Sequence, residues 1–141
     1  MLTHKLDMRK MVFCMAKYRK KIEAEIRCPL EYGLAVFGGK WKSRIICVLS
    51  ADKKLRYSEI RKEMYNITDA VLAATLKDLI ADGIVDRKSY DEIPPRVEYS
   101  LTEKGNSVVP ILQSICRWSD IFYKEDVENE MKQCQKCDYH R

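Results

Sequence analysis

A mainly α chain with a small β element, an α+β fold, is predicted by three observations. Leu72, Leu76, Leu79 and Ile80 recur at the spacing of one buried helical stripe. The stripe ends at Asp82-Gly83, a natural helix stop. Two β-type runs follow at once: Ile84 and Val85 open the first, and Val97, Tyr99 and Leu101 alternate in the second. Pro94-Pro95 forbids regular pairing between them, so the tip is a stiff loop flanked by Arg87, Lys88 and Arg96. A helix long enough to fill a major groove, followed directly by a basic hairpin suited to the DNA backbone or minor groove, is the order of a winged helix-turn-helix.

The remaining elements follow in order. Met8, Met11, Met15, Tyr18, Ile22 and Ile26 recur at spacings of three and four, one apolar seam on a basic helical extension over residues 1–27. Pro29 suits a first helical turn, which predicts a short helix with Leu30, Leu34 and Phe37 inward, ending at Gly38-Gly39. A further helix begins near Lys40, with Trp41, Ile45, Ile46 and Leu49 inside and Lys40, Lys42 and Arg44 outside. Leu55 to Tyr57 reads as a short strand, and Ser58 as the cap of a helix through Met64 that buries Ile60 and Met64. Thr68 or Asp69 caps the next helix, so two consecutive helices joined at Tyr65 to Ile67 form a helix-turn-helix.

Past the hairpin, Thr102 caps a turn at Glu103 to Gly105, and Val108, Leu112, Ile115 and Phe122 mark a final long helix that includes Trp118. An apolar stripe at each end of a small domain predicts a homodimer in which terminal helices pack across a two-fold axis. The residues that would meet there are Met11, Met15, Tyr18 and Ile22 at one end and Val108, Leu112, Ile115, Cys116, Trp118 and Phe122 at the other. The alternative is that both stripes complete the monomer's own core. The resulting division is an extension over 1–27, a DNA-binding domain over 28–106, a dimerisation helix over 107–133 and a cysteine-containing tail over 134–141.

The 141 residues are one domain's worth of chain. No apolar run approaches the roughly 18 residues needed to span a bilayer, and Met1 to Arg27 carries scattered charges where a signal peptide has an apolar centre. A soluble cytoplasmic protein with no membrane partner is expected. The formal net charge of +5 is small, but it is unevenly spread: Lys and Arg against Asp and Glu give +5 over residues 1–27, +6 over 40–62 and −5 over 63–141. Positive charge sits where phosphate contacts are wanted, although a charge run on a helix also serves as a solvated face.

Six cysteines, Cys14, Cys28, Cys47, Cys116, Cys134 and Cys137, are spread along the chain and read as reduced thiols, not a disulfide framework. Cys47 and Cys116 lie in apolar stripes and are expected to be buried. The tail, Cys134-Gln135-Lys136-Cys137-Asp138-Tyr139-His140, supplies at most three nearby ligands, short of the four of a closed zinc site unless His4 or another chain contributes. Metal binding, thiol redox chemistry and a plain charged tail all remain open for it. A thiol oxidoreductase or metal-dependent protein built on Cys134 and Cys137 is the competing class, and a winged-helix module used only for protein interaction is another. The enzyme reading has little to stand on. His4 and His140 are the only histidines, and no nucleophile-base constellation, phosphate-binding glycine loop or dinucleotide fingerprint is present, so no cofactor and no catalytic residue is expected.

From Cys28 to about Trp118 the chain resembles the HxlR-type winged helix-turn-helix transcriptional regulators, relatives of the MarR type. The landmarks are Cys28-Pro29-Leu30-Glu31-Tyr32, Gly38-Gly39-Lys40-Trp41-Lys42, Arg56-Tyr57-Ser58-Glu59-Ile60, Ala81-Asp82-Gly83-Ile84-Val85 and the run from Pro94-Pro95-Arg96 through Thr102-Glu103-Lys104-Gly105. The resemblance implies a homodimer on double-stranded DNA at a pseudo-palindromic operator, with half-sites about one helical turn apart. It places the recognition helix at Thr68 to Asp82. DNA contacts are then expected from Lys40, Lys42, Ser43, Tyr57, Thr68, Asp69, Ala70, Val71, Ala74, Thr75, Lys77, Asp78, Arg87, Lys88, Pro95 and Arg96. Many relatives carry long polar side chains where this chain has Ala70, Val71, Ala73 and Ala74, which suit thymine methyls and leave polar readout to Thr68, Asp69, Thr75, Lys77 and Asp78. Arg96 is the residue best suited to read DNA shape from the wing. Some members respond to oxidants or electrophiles through a cysteine in the Cys-Pro position, which makes Cys28 the candidate sensor. A thiol at a helix start has its thiolate favoured by backbone N–H groups, while the same cysteine also serves as a structural cap. An oxidant or small-molecule effector is the partner this would imply.

Overall fold

The computed structural model describes residues 25–123 together with 134 and 137. The seam from Met8 to Ile22 and the rest of the tail lie outside the described residues. The chain divides into two compact units, Met1–Ala35 and Val36–Arg141. In the first, helix α1 (Pro29–Phe37) begins with a proline whose missing N–H is one that a first turn leaves unpaired anyway. Its first turn is closed by Tyr32 N–H donating to the Cys28 carbonyl at 3.3 Å and by Arg27 N–H donating to Glu31 Oε2 at 2.6 Å. Leu30 and Leu34 are exposed, against expectation, and Val36 is the buried residue of this helix. Only the last two residues of α1 belong to the second unit, whose core Val36 joins.

The second unit is built around α2 (Lys40–Asp52), which buries Ile45, Ile46, Val48 and Leu49 almost completely. Gly39 precedes it at φ +84°, a conformation that L side chains rarely adopt. Then come β1 (Lys54–Leu55), α3 (Tyr57–Met64), α4 (Asp69–Ala81), β2 (Val85–Tyr90), β3 (Arg96–Leu101) and α5 (Glu103–Asp120). The three strands form an antiparallel sheet in the order β1-β3-β2. Leu55 pairs with Tyr99, and the hairpin runs in register from Val85 opposite Leu101 to Tyr90 opposite Arg96. Pairing therefore continues up to the loop 91–95, where both prolines sit and the Ile93-Pro94 peptide is cis.

Helix starts follow capping chemistry. Thr68 Oγ1 accepts from Val71 N–H at 3.3 Å, and Thr102 Oγ1 accepts from Gly105 N–H at 3.0 Å. Ser58 is not the cap of α3: the helix starts two residues earlier, with Arg56 at the N-cap and Glu59 Oε1 accepting from Arg56 N–H at 3.0 Å. Glu59 outcompetes Ser58 because a carboxylate three residues in reaches back to the cap amide. α3 and α4 are joined by a γ-turn at Tyr65, at φ +65°, where Asn66 N–H donates to the Met64 carbonyl at 3.0 Å. The turn expected at Glu103 to Gly105 is the first turn of one continuous helix, so a domain boundary at 106 and 107 would fall inside α5. Gly105 is required there, because a Cβ would come within 2.2 Å of the Ile84 carbonyl oxygen.

Candidate nucleic-acid interface

The outward face of α4 is set by what its inward face must bury. Leu72, Leu76 and Leu79 are at most 2% exposed, which turns Ala70, Val71, Ala73, Ala74 and Lys77 outward and leaves Asp78 half-buried. Thr75, expected among the polar readers, lies instead on the buried side. Only 9% of it is exposed, and its hydroxyl donates to the Val71 carbonyl at 2.6 Å within the same helix. Asp69 is exposed, but its carboxylate holds Arg61 Nε at 2.7 Å, and its carbonyl accepts from the Tyr57 hydroxyl at 3.1 Å. Desolvation and then the Asp69 carboxylate push the Tyr57 hydroxyl up, so Tyr57 is a neutral donor. Together these contacts fasten α3 to the first turn of α4. Sequence reasoning missed Arg61, whose signal is a basic residue in the last turn of the helix before the recognition helix.

The start of α2 contributes cationic side chains. Lys40 Nζ stands 4.5 Å from the Trp41 ring centroid and Arg44 Cζ 5.3 Å from it. Lys40 is exposed and Lys42 half-buried, while the Ser43 hydroxyl donates to the Gly39 carbonyl at 2.7 Å and so serves its own helix start.

The wing has a built base and a bare tip. Tyr90 lies between Lys88 Nζ at 5.1 Å and Arg96 Cζ at 4.0 Å from its ring centroid, and its hydroxyl donates to Glu98 Oε2 at 3.3 Å. Arg96 is engaged on both arms, with Glu92 Oε1 at 3.1 Å and Glu98 Oε1 at 3.4 Å. Arg87 and Lys88 are both exposed but project from opposite faces of β2, and Arg87 donates to Ser89 Oγ at 3.2 Å. Ile93 and Pro95 are exposed in the loop.

The residues expected at a dimer interface separate into two groups. Val108 and Leu112 are buried in the chain's own core, at 5% and 7% exposure, because this side of α5 packs on α2. Ile115, Trp118 and Phe122 are exposed, joined by Ile111, Ile121 and Tyr123, and the Trp118 and Phe122 rings are 5.4 Å apart. Cys116 is half-buried between the two groups. Met11, Met15, Tyr18 and Ile22 lie outside the described residues. Cys28 is exposed at the start of α1, whereas burial and then the neighbouring Cys116, Cys134 and Cys137 push the Cys47 thiol up to about 12. Among the described residues no helix is long and apolar enough to cross a membrane.

A helix-turn-helix backed by a three-stranded sheet, with an exposed helix face beside a basic hairpin, defines a winged helix-turn-helix regulator of transcription. The chain belongs to the HxlR-like helix-turn-helix family, whose model matches residues 36–127. An HTH-type transcriptional regulator of Halalkalibacterium halodurans is 43% identical over 104 residues, 74% of this chain and 92% of its own. Another, from Methanothermobacter thermautotrophicus, is 47% identical over 98 residues, 70% of this chain and 74% of its own. Among solved structures, the redox regulator HypR in its oxidized form is 41% identical with a TM-score of 0.63, covering 70% of this chain and all of that one. The transcriptional regulator YodB from B. subtilis, in its reduced form, is 35% identical with a TM-score of 0.63, covering 70% of this chain and 97% of its own. The family and these relatives are regulators, not enzymes.

Proposed function

We propose that the protein binds a pseudo-palindromic DNA operator as a homodimer, placing one α4 in the major groove of each half-site and the wings outside. The observation that carries this is the α4 face of Ala70, Val71, Ala73, Ala74 and Lys77, which is exposed, in a fold that also displays cationic side chains on α2 and β2. Small side chains let the helix sit deep and pack on thymine methyls, and Lys77 is the long polar side chain positioned to reach a base edge or phosphate. Asp69 repels phosphate unless Arg61 stays on it, so that pair holds the entrance of the helix neutral. Lys40, Lys42, Arg87 and Lys88 supply backbone contacts, and Arg96 reads minor-groove shape by exchanging Glu92 and Glu98 for DNA. The exposed apolar side of α5 supports the homodimer.

The protein acts in the cytoplasm, and oxidants or electrophiles are its signal, received at the exposed Cys28. Relatives described as a redox regulator, and solved after diamide treatment, support this reading. Selection of bound sequences from a random duplex pool, with and without reductant at two salt concentrations, tests it. An enriched inverted repeat is expected. Enrichment that is lost on diamide treatment of the native chain but kept in Cys28→Ser assigns the signal to Cys28. Salt-sensitive binding without enrichment rules out operator reading.

A further inference from the structure

We propose that Cys134 and Cys137 are a dithiol–disulfide pair, a redox site separate from Cys28 that a small disulfide of the glutathione class oxidises within one chain. The two thiols stand three positions apart in sequence, and the fold closes that spacing into a turn. Cys137 N–H donates to the Cys134 carbonyl at 3.2 Å. A bond from residue i+3 back to residue i belongs to a turn whose ends lie within about 7 Å of each other, and a disulfide needs Cα atoms about 4.4–6.8 Å apart. Much of the entropy that ring closure costs is thus already lost in the turn. Both cysteines are half-buried thiols, not joined in a disulfide. The turn also has an anchor, because Gln113 Nε2 on α5 donates to Cys137 Sγ at 3.6 Å.

Thiol exchange suits this pair better than an ion does. Two thiols are half of a closed zinc set, and among the described residues no group of three or more Cys, His, Asp or Glu side chains is placed to hold a metal. For exchange, two thiols in one turn are a complete set. One thiolate attacks a sulfur of the small disulfide, releasing one small thiol and leaving a mixed disulfide on the protein. The second thiolate then attacks the protein sulfur of that mixed disulfide and releases the other small thiol. In sum, two protein S–H bonds and the S–S bond of the oxidant break, while one protein S–S bond and two small-molecule S–H bonds form. The protein gives up two electrons and two protons, and the oxidant takes both. Because the second attack is intramolecular, the mixed disulfide does not accumulate. Cys28 has no second cysteine within three positions, so the same oxidant leaves an adduct there.

Equilibration of the full chain, as Cys28→Ser, in buffers of reduced and oxidised glutathione tests this, with acid quenching, alkylation of the remaining thiols and peptide mass mapping. Trypsin cuts after Lys132 and Lys136, so a Cys134–Cys137 bond leaves peptides 133–136 and 137–141 joined as one species that a reductant separates. That species is expected to appear in a single two-electron transition, with the chain remaining a monomer on a non-reducing gel. In Cys134→Ser the joined species is lost, and the glutathione adduct at Cys137 is expected to rise at least about tenfold over its level in the intact pair. Native operator-binding behaviour is not the readout, so the result stands apart from the assignment of Cys28. No joined species, a glutathione adduct that persists on the intact pair, Cys137 joined to Cys116, or either tail cysteine bonded to a second chain would each overturn the pair.

Discussion

Cys28 and Cys47 differ in exposure: Cys28 precedes the first turn of α1, and Cys47 sits within α2. Cys28 is exposed, and Cys47 is half-buried with its thiol pushed up to about 12. At pH 8, iodoacetamide is therefore expected to modify Cys28 at least about tenfold faster than Cys47, since the thiolate is the nucleophile. Peptide mapping of a time course checks this, and equal rates would contradict the burial of Cys47. Lys77→Ala is expected to weaken operator binding by about 1–3 kcal/mol and to relax specificity at its contact, measured by titration against single-base operator variants. At this scale the sequence was legible where spacing alone decides. The Leu72, Leu76, Leu79 stripe is buried as expected, and Ala70 and Ala74 face out. Thr75 sits at the margin of the helical wheel, where burial depends on how deeply neighbouring elements pack, and spacing carries no information about that depth. The partners of Arg96 have a different origin: Glu98 lies two residues on along the same strand, and Glu92 comes within reach through the path of loop 91–95.

Thr102 gathers three elements at one point. Its hydroxyl donates to the Gly83 carbonyl at 2.5 Å and accepts from Gly105 N–H, and its own N–H donates to the Ile84 carbonyl at 3.0 Å. The end of α4, the start of β2 and the start of α5 are thereby joined, with Lys104 Nζ donating to the Asp82 carbonyl at 2.8 Å. Gly105→Ala places a methyl against the Ile84 carbonyl, and a loss of about 1–3 kcal/mol is expected from denaturant midpoints. Tyr65 points the other way. It holds a positive φ while 82% of it is exposed, so Tyr65→Gly gives up little packing and removes strain of about 1–3 kcal/mol against an entropy cost of about 0.4–1 kcal/mol. A small rise in melting temperature is expected, and a fall would mean that the ring does structural work. Element types and most ends were legible because caps and stops are local chemistry: Thr68, Thr102 and Asp82-Gly83 act where the sequence puts them. β1 is two residues long, and its pairing with β3 is a long-range contact that no local pattern announces.

Across the whole molecule, α5 has two jobs that its stripe does not distinguish in sequence. Val108 and Leu112 complete the chain's own core, while Ile115, Trp118 and Phe122 stay exposed. An exposed apolar set of this kind is costly to leave in water, at about 25 cal/mol per Å² of apolar surface. Ile115→Glu with Trp118→Glu is therefore expected to give a folded monomer by analytical ultracentrifugation and to abolish binding to a two-half-site operator. A variant that still sediments as a dimer would move the interface elsewhere. The packing of α2 against α5 was likewise illegible, because it depends on which faces of the two helices meet.

The two tryptophans occupy different working surfaces. Trp41 lies under Lys40 and Arg44, whereas Trp118 stands 66% exposed beside Phe122. Each indole is thus a built-in optical probe of one event. Recruitment of the two cations by phosphate alters the emission of Trp41, self-association dries Trp118 and shifts its emission to the blue, and single Trp→Phe chains let the two steps be timed separately.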